Sequence, residues 1–307
     1  MKFPWSFINK PKFFQKPILM GEYQVLPHHP IPANIPKPFY FESKGQTKFV
    51  STNDSHELQI HNSETIEKMR LAARIAAGAL QVALDYAKPG VTGEDIDKVV
   101  HDYIISQGAY PAAVYYMGFP KSLCISPNEI VCHGIPNVRP FADGDIINFD
   151  VVTWIDGVYG DNSDMAMIGN SHPEEIIRLV NTTRESVAEA IKICKPGTPI
   201  NKVGEVIEKY VNDRGFAICE EFCGHGIGRH MHIPPPVLFN KNVVETIMRP
   251  GMTFTIEPIV MMNANYELGQ WEDKWTIVDL TMGPSAQMEH TILITETGNE
   301  VLTKRPL

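Results

Sequence analysis

Asp145-Ile146-Ile147-Asn148-Phe149-Asp150-Val151-Val152-Thr153-Trp154-Ile155-Asp156-Gly157-Val158-Tyr159-Gly160-Asp161 is the stretch on which the reading of this 307-residue chain turns. Its first arm is β-branched and apolar, Asp156-Gly157 is a strong two-residue hairpin turn, and Val158 to Asp161 return. Folding about that turn sets Val152 opposite Asp161. Side chains alternate faces along a strand, so Asp150 shares the face of Val152 and lies diagonally beside Asp161, roughly 7–8 Å away backbone to backbone. Two like charges that close are tolerable in a buried place only with something cationic between them. A divalent metal bound through oxygen is the most economical candidate. A solvated polar face on an exposed hairpin is the alternative.

The second half of the chain speaks for the buried reading. Residues 88–90 are Lys-Pro-Gly and so are 195–197, a separation of 107. At the same shift Ile96, Val99, Val100, Tyr103, Ile104 and Gly108 fall on Val203, Val206, Ile207, Tyr210, Val211 and Gly215, the apolar stripe of a helix and its stop. Asp150 falls on Glu257, at the end of the strand-like run Met252 to Ile256. A duplication with one acidic strand per half predicts two half-domains about a pseudo-two-fold axis, their sheets meeting at a carboxylate-lined floor. Helix signals agree: Asn62-Ser63 opens a helix ending before Lys88-Pro89-Gly90, Thr92 with Asp95 forms a capping box, and Pro173-Glu174-Glu175 and Asn201 open the equivalents.

Further candidate ligands stand in glycine-framed or strand-like contexts: His225, His230 and His232 within residues 223–232, Glu289-His290 ahead of the apolar run 291–294, and His133 in Cys132-His133-Gly134. A lone histidine is more often a satisfied structural residue, the reading given to His28, His29, His56, His61, His101 and His172.

Asn148-Phe149-Asp150, Gly160-Asp161, Gly224-His225-Gly226-Ile227-Gly228, Phe254-Thr255-Ile256-Glu257-Pro258 and Gln287-Met288-Glu289-His290, in this order and spacing, closely resemble the type I methionine aminopeptidases. The likeness runs from about Pro30 to Thr303. It implies the duplicated α/β (α+β) pita-bread, or creatinase/aminopeptidase, fold, with two pseudo-symmetric halves of antiparallel sheet covered by helices. It also implies a two-metal site held by Asp150, Asp161, His225, Glu257 and Glu289, with Asp161 and Glu289 bridging. His133 and His232 match the family's two non-ligand histidines, and Tyr116, Phe119, Cys124 and Trp275 its methionine pocket. On residues alone, those aromatics read equally as core. Type II relatives carry a long insertion after the second histidine; here only residues 233–256 separate His232 from Glu257. Asn162, Met231 and Ile233-Pro234-Pro235-Pro236 depart from the common pattern without removing a ligand.

Four carboxylates and one imidazole suit Mn, Fe, Co or Zn rather than an all-thiolate structural zinc. Two such ions can share a water, lower its pKa and stabilise the oxyanion formed when a bridging hydroxide attacks an amide. The expected activity is therefore hydrolytic removal of the initiator methionine from nascent chains with a small second residue. Glu257 is the expected proton shuttle, and His232 and His133 the groups on the carbonyl and the amine. A proline-directed aminopeptidase of the same fold, and a metal-free binding protein, are the rival readings; the methionine pocket and the complete ligand set weigh against them.

A net charge of −9 without a Lys/Arg cluster disfavours nucleic acid as a partner. Five cysteines, odd in number and set among apolar residues, fit a reducing compartment, and no apolar run is long enough to span a bilayer. A cytoplasmic monomer is expected, with the ribosome as a candidate partner. The domain plan is a catalytic unit 56–307, with half-repeats of about 64–165 and 171–300, behind an extension 1–55. That extension holds a proline-rich strap, Pro27 to Pro38, and an acid-free, lysine-bearing stretch 1–21 that raises organellar import as the alternative.

Overall fold

The computed structural model describes residues 13–14, 16–45 and 57–305. The first half contains α1 (Ser63–Tyr86), α2 (Gly93–Ser106), β1 (Tyr110–Pro111), β2 (Cys124–Pro127), β3 (Ile130–Cys132), β4 (Ile146–Ile155) and β5 (Val158–Met167). The second contains α3 (Glu174–Ile193), α4 (Asn201–Asn212), β6 (Ala217–Ile218), β7 (Gly224–Gly226), β8 (Ile233–Val237), β9 (Thr253–Ile256), β10 (Ile259–Met261), β11 (Leu268–Gln270), β12 (Ile277–Asp279), β13 (Ser285–Gln287), β14 (His290–Ile294) and β15 (Asn299–Val301). Every strand pair is antiparallel, and α1 packs on β4 and β5 as α3 packs on β9, β10 and β13.

Local chemistry fixes the helix ends. Asn62 Oδ1 accepts from the Thr65 N–H (2.9 Å) at the start of α1, and Thr92 with Asp95 closes a reciprocal capping box on α2. Gly108 and Gly215 follow α2 and α4 in the left-handed region, at φ 72° and 81°, where a side chain would be strained.

The repeat extends to hydrogen-bond register. Pro111 pairs with Thr153 in β1–β4, and Ile218 with Val260 in β6–β10; both members are displaced by 107 (218 − 111 = 260 − 153 = 107). The Phe141 N–H donates to Val91 O (2.8 Å) and the Met248 N–H to Thr198 O (2.9 Å), again 107 apart. Beyond the hairpin turn the offset grows: the Gly144 N–H reaches Ile168 O and the Gly251 N–H reaches Ile294 O, so the return strand is displaced by 294 − 168 = 126. The difference, 19 residues, lies where the first half has only Asp156-Gly157. In the second half that turn is replaced by 263–283, which carry the β11–β12 hairpin laid against β3.

Ser163 and Glu289, equivalent at the 126 offset, bridge to one another, the Glu289 N–H donating to Ser163 O (3.0 Å). The two halves therefore join backbone to backbone at their pseudo-symmetry axis. β4 runs unbroken, whereas its counterpart is split into β9 and β10 at Glu257-Pro258, where the proline has no N–H to give to a ladder.

Residues 16–45 cross the first half as an extended strap. The Ile18 N–H donates to Glu129 Oε1 (2.5 Å), Leu26 N–H to Glu94 Oε1 (3.0 Å) and Val138 N–H to Gln24 O (3.1 Å), while Ile35 and Tyr40 are buried in the core. The boundary near residue 55, His56 and most of the lysine-bearing stretch lie outside the described residues.

Candidate metal centre

The hairpin forms in the expected register. Ile155 pairs with Val158 around Asp156 and Gly157, both at positive φ as a type I′ turn requires, and Val152 pairs with Asp161. Asp150 and Asp161 consequently face one cavity. Glu257 reaches it from the break between β9 and β10, Glu289 from the step between β13 and β14, and His225 from β7. His133, His232, Tyr116, Phe119, Cys124 and Trp275 line the same cavity, so the eleven residues that the resemblance implies converge, whereas His230 and His290 do not line it and His290 Nδ1 lies 3.0 Å from Thr303 Oγ1.

The donor set fits a cation. One oxygen each of Asp150, Asp161 and Glu289 is buried without a hydrogen-bond partner. His225 Nε2 stands 3.4 Å from Glu257 Oε1 and 3.9 Å from Asp161 Oδ2. Its Nδ1 is 3.0 Å from Gly226 O, an acceptor, so the Nδ1 carries the proton and the Nε2 lone pair faces the carboxylates. Burial pushes that imidazole down to about 4, leaving it neutral at pH 7. Burial likewise raises the Asp150 carboxyl to about 7 and Glu257 to about 8. Asp161 and Glu289 are driven well above the ordinary carboxylate range by burial first and neighbouring acids second. Without a cation these buried carboxyls must hold protons to coexist, and a metal between them and the His225 Nε2 lone pair would replace those protons with coordination. Ligand atoms of Asp161, His225 and Glu289 all lie within 4.8 Å of one another.

Side chains not anticipated from sequence support the ligands. Thr255 Oγ1 donates to Glu257 Oε1 (2.6 Å) and accepts from the His225 N–H (2.9 Å), tying β9 to β7. Gln287 Nε2 donates to Glu257 Oε2 (3.4 Å). Both stand two residues before an acid, on the same strand face, a period-2 signal that could have revealed them. Tyr116 Oη lies 2.6 Å from His232 Nδ1. His133 stacks edge-on against Phe222 and Trp275, each at 5.7 Å, and Phe119 against Trp275 at 5.1 Å. Trp275 comes from the 19-residue excess of the second half. One wall of the apolar end is thus an addition to the duplicated plan, while Tyr116, Phe119 and Cys124 come from the first half.

Of the histidines read as structural, His61 and His101 hold backbone and hydroxyl partners. His29 belongs to a second acidic group, with Glu94 and Asp97, but there the Lys121 ammonium already supplies the cation, 2.6 Å from Glu94 and 3.7 Å from Asp97.

A family model for metallopeptidase family M24 matches residues 67–296, three-quarters of the chain. The chain belongs to metallopeptidase family M24. Among its M24 relatives, "Methionine aminopeptidase 2" of Mycobacterium tuberculosis is 44% identical over 279 residues, spanning 90% of this chain and 95% of the relative. The crystal structure of methionine aminopeptidase from Rickettsia prowazekii is 37% identical, covers 81% of this chain and all of that one, and superposes with a TM-score of 0.77. A prolidase from Pyrococcus furiosus, 21% identical with a TM-score of 0.65 over 81% of this chain and 66% of its own, shares the fold alone. The pita-bread α/β fold is thus established. The M24 methionine aminopeptidases use two divalent metals, and the carboxylate and imidazole donors here suit that pair.

Proposed function

We infer that this M24 enzyme removes amino-terminal methionine from polypeptides, at the site bounded by Asp150, Asp161, His225, Glu257 and Glu289. The observation that carries the reading is the cavity itself: unpartnered buried carboxylate oxygens and a neutral imidazole at one end, Tyr116, Phe119, Cys124 and Trp275 at the other. A long, polarizable thioether suits such aromatic and sulfur walls.

Asp150, Asp161, His225, Glu257 and Glu289 would hold two divalent ions, which would supply Lewis acidity and lower the pKa of a water. The protein does the rest. Glu257 takes a proton from the attacking water and returns it to the leaving nitrogen as the C–N bond breaks. His232, its Nδ1 engaged by Tyr116, presents Nε2–H to the carbonyl oxygen, and neutral His133, held at about 4 by burial, contacts the amine. A small second residue is the preference expected of such an enzyme, and the peptide series below reads it.

A monomer is the expected assembly. The described helices include none long and apolar enough to cross a membrane, and action in the cytoplasm on chains emerging from the ribosome fits the reading; light scattering and fractionation with ribosomes check the two.

The test is hydrolysis of Met-Ala-Ser, Met-Leu-Ser and Xaa-Pro peptides by chelated enzyme after readdition of Co, Mn, Fe or Zn. Rapid cleavage of Met-Ala-Ser alone is expected. Cleavage of the Xaa-Pro peptide alone, or none with any metal, overturns it. His133→Ala and His232→Ala turning over at the parent rate with metals bound would remove those two role assignments.

A further inference from the structure

The loop that forms the methionine pocket is an unfavourable piece of backbone. Tyr115 and Met117 sit at φ 63° and 47° on either side of Tyr116, a conformation that costs a non-glycine residue about 1 kcal/mol or more. The loop's own turn bonds, among them Tyr115 N–H to Phe119 O (2.8 Å), hold part of it, and the strap packs on it from outside. Tyr40, 3% exposed, donates its hydroxyl to Ala112 O (2.6 Å) and sets its ring edge-on against Tyr116 at 5.5 Å. His28 Nε2 lies 2.6 Å from Tyr115 Oη, and Phe41 packs on the same ring at 5.7 Å. Gly45 lies so close that an added Cβ would stand 2.3 Å from Gly118 N and from Tyr115 O.

From Tyr116 the chain of contacts continues into the site. The acceptor waiting in the cavity is a carbonyl oxygen, which has no proton to give, so His232 must carry its proton on Nε2. Tyr116 Oη is then the donor to Nδ1 at 2.6 Å, and burial, which raises the phenol well above its usual range, keeps that proton in place. The tautomer and tilt of His232 depend on where Tyr116 stands, and Tyr116 stands where Tyr40 presses it.

We propose that Tyr40 is a positioning residue for catalysis: the strap is a working part of the active site, fixing the His232 tautomer through Tyr116. The inference rests on the role of His232 given above, and it distinguishes this strap from a mere linker. A linker residue contributes to folding alone, so its effect on turnover would be independent of the Tyr116 hydroxyl.

The test is a double-mutant cycle on the full chain loaded with metal, using Tyr40→Ala, Tyr116→Phe and the pair, with kcat and KM on Met-Ala-Ser. Tyr116→Phe is expected to lower kcat about 10-fold or more with KM little changed. Tyr40→Ala is expected to do the same, and the pair to be no slower than the slower single variant. Tyr40→Phe, which keeps the ring against Tyr116, should restore most of the rate; Tyr40→Leu, which fills the space without a ring, replaces Tyr40→Ala in the cycle should the alanine variant not fold. Independent effects, multiplying in the pair, would overturn the proposal. A second readout needs no turnover: long-range nitrogen–proton spectra of the His232 ring in metal-free protein. One Nε2–H tautomer is expected in the parent and a mixture in Tyr116→Phe and Tyr40→Ala. A parent-like spectrum in Tyr40→Ala would overturn the coupling while leaving the aminopeptidase reading intact; absence of peptide cleavage by the parent would instead strike that reading.

Discussion

Asp161 shows how much one residue carries. It sits 4% exposed among three other acids, within coordinating reach of His225 and Glu289, and its cost to the fold is the counterpart of its use. Asp161→Asn should abolish measurable turnover while raising the thermal midpoint of the metal-free protein, because one buried carboxylate fewer must be kept uncharged. Calorimetry on chelated samples checks it, and a lowered midpoint would mean that the acid holds the fold by contacts of its own. Thr255 is a subtler case. Its hydroxyl is shared between Glu257 and the His225 backbone, so Thr255→Val, nearly isosteric, should weaken metal binding about 10–100-fold without unfolding β9. Titration of the apo-protein with manganese reads this directly.

At the scale of elements, the hairpin β4–β5 was legible because its chemistry is local: Asp156-Gly157 dictates the turn, the turn dictates the register, and alternation then puts Asp150 and Asp161 on one face. The repeat at 107 was legible for a like reason, through two Lys-Pro-Gly turns and two glycine stops. The 19-residue excess and the packing of β11–β12 on β3 were not, since nothing in Leu268 to Asp279 names its partner; Trp275 entered the pocket reading only through resemblance to relatives. The strap contacts were illegible for the same reason, each joining residues far apart in sequence. One of them makes a pH prediction. Glu129, in the β2–β3 connection, is fully buried, accepts from the Ile18 N–H, and is pushed up to about 7 by burial. A carboxyl whose folded value lies above its unfolded one, 4.5, binds its proton more tightly when folded. Its stabilising contribution is therefore complete below pH 4.5 and is lost as pH rises through 7. Glu129→Gln should stabilise the protein by about 2 kcal/mol at pH 8 and by almost nothing at pH 4.5. Thermal melts across that range check the sign.

For the whole molecule, duplication supplies the frame and departures from symmetry supply the function. Asp150 and Glu257 are equivalent at an offset of 107, but Glu289 is the equivalent of Ser163 rather than of Asp161, so the ligand set is not itself two-fold. The excess loop places Trp275 at the apolar end of the cavity, and Tyr40 of the strap packs on Tyr116 in its wall. The chemistry proposed for the cavity requires that Asp150, Asp161, His225, Glu257 and Glu289 together hold two divalent ions. Anomalous diffraction at the manganese edge from crystals grown with excess manganese tests it most directly. Two peaks are expected inside the cavity, each within coordinating distance of Asp161 and Glu289. No peak there, or peaks confined to the His29, Glu94 and Asp97 cluster, would contradict it.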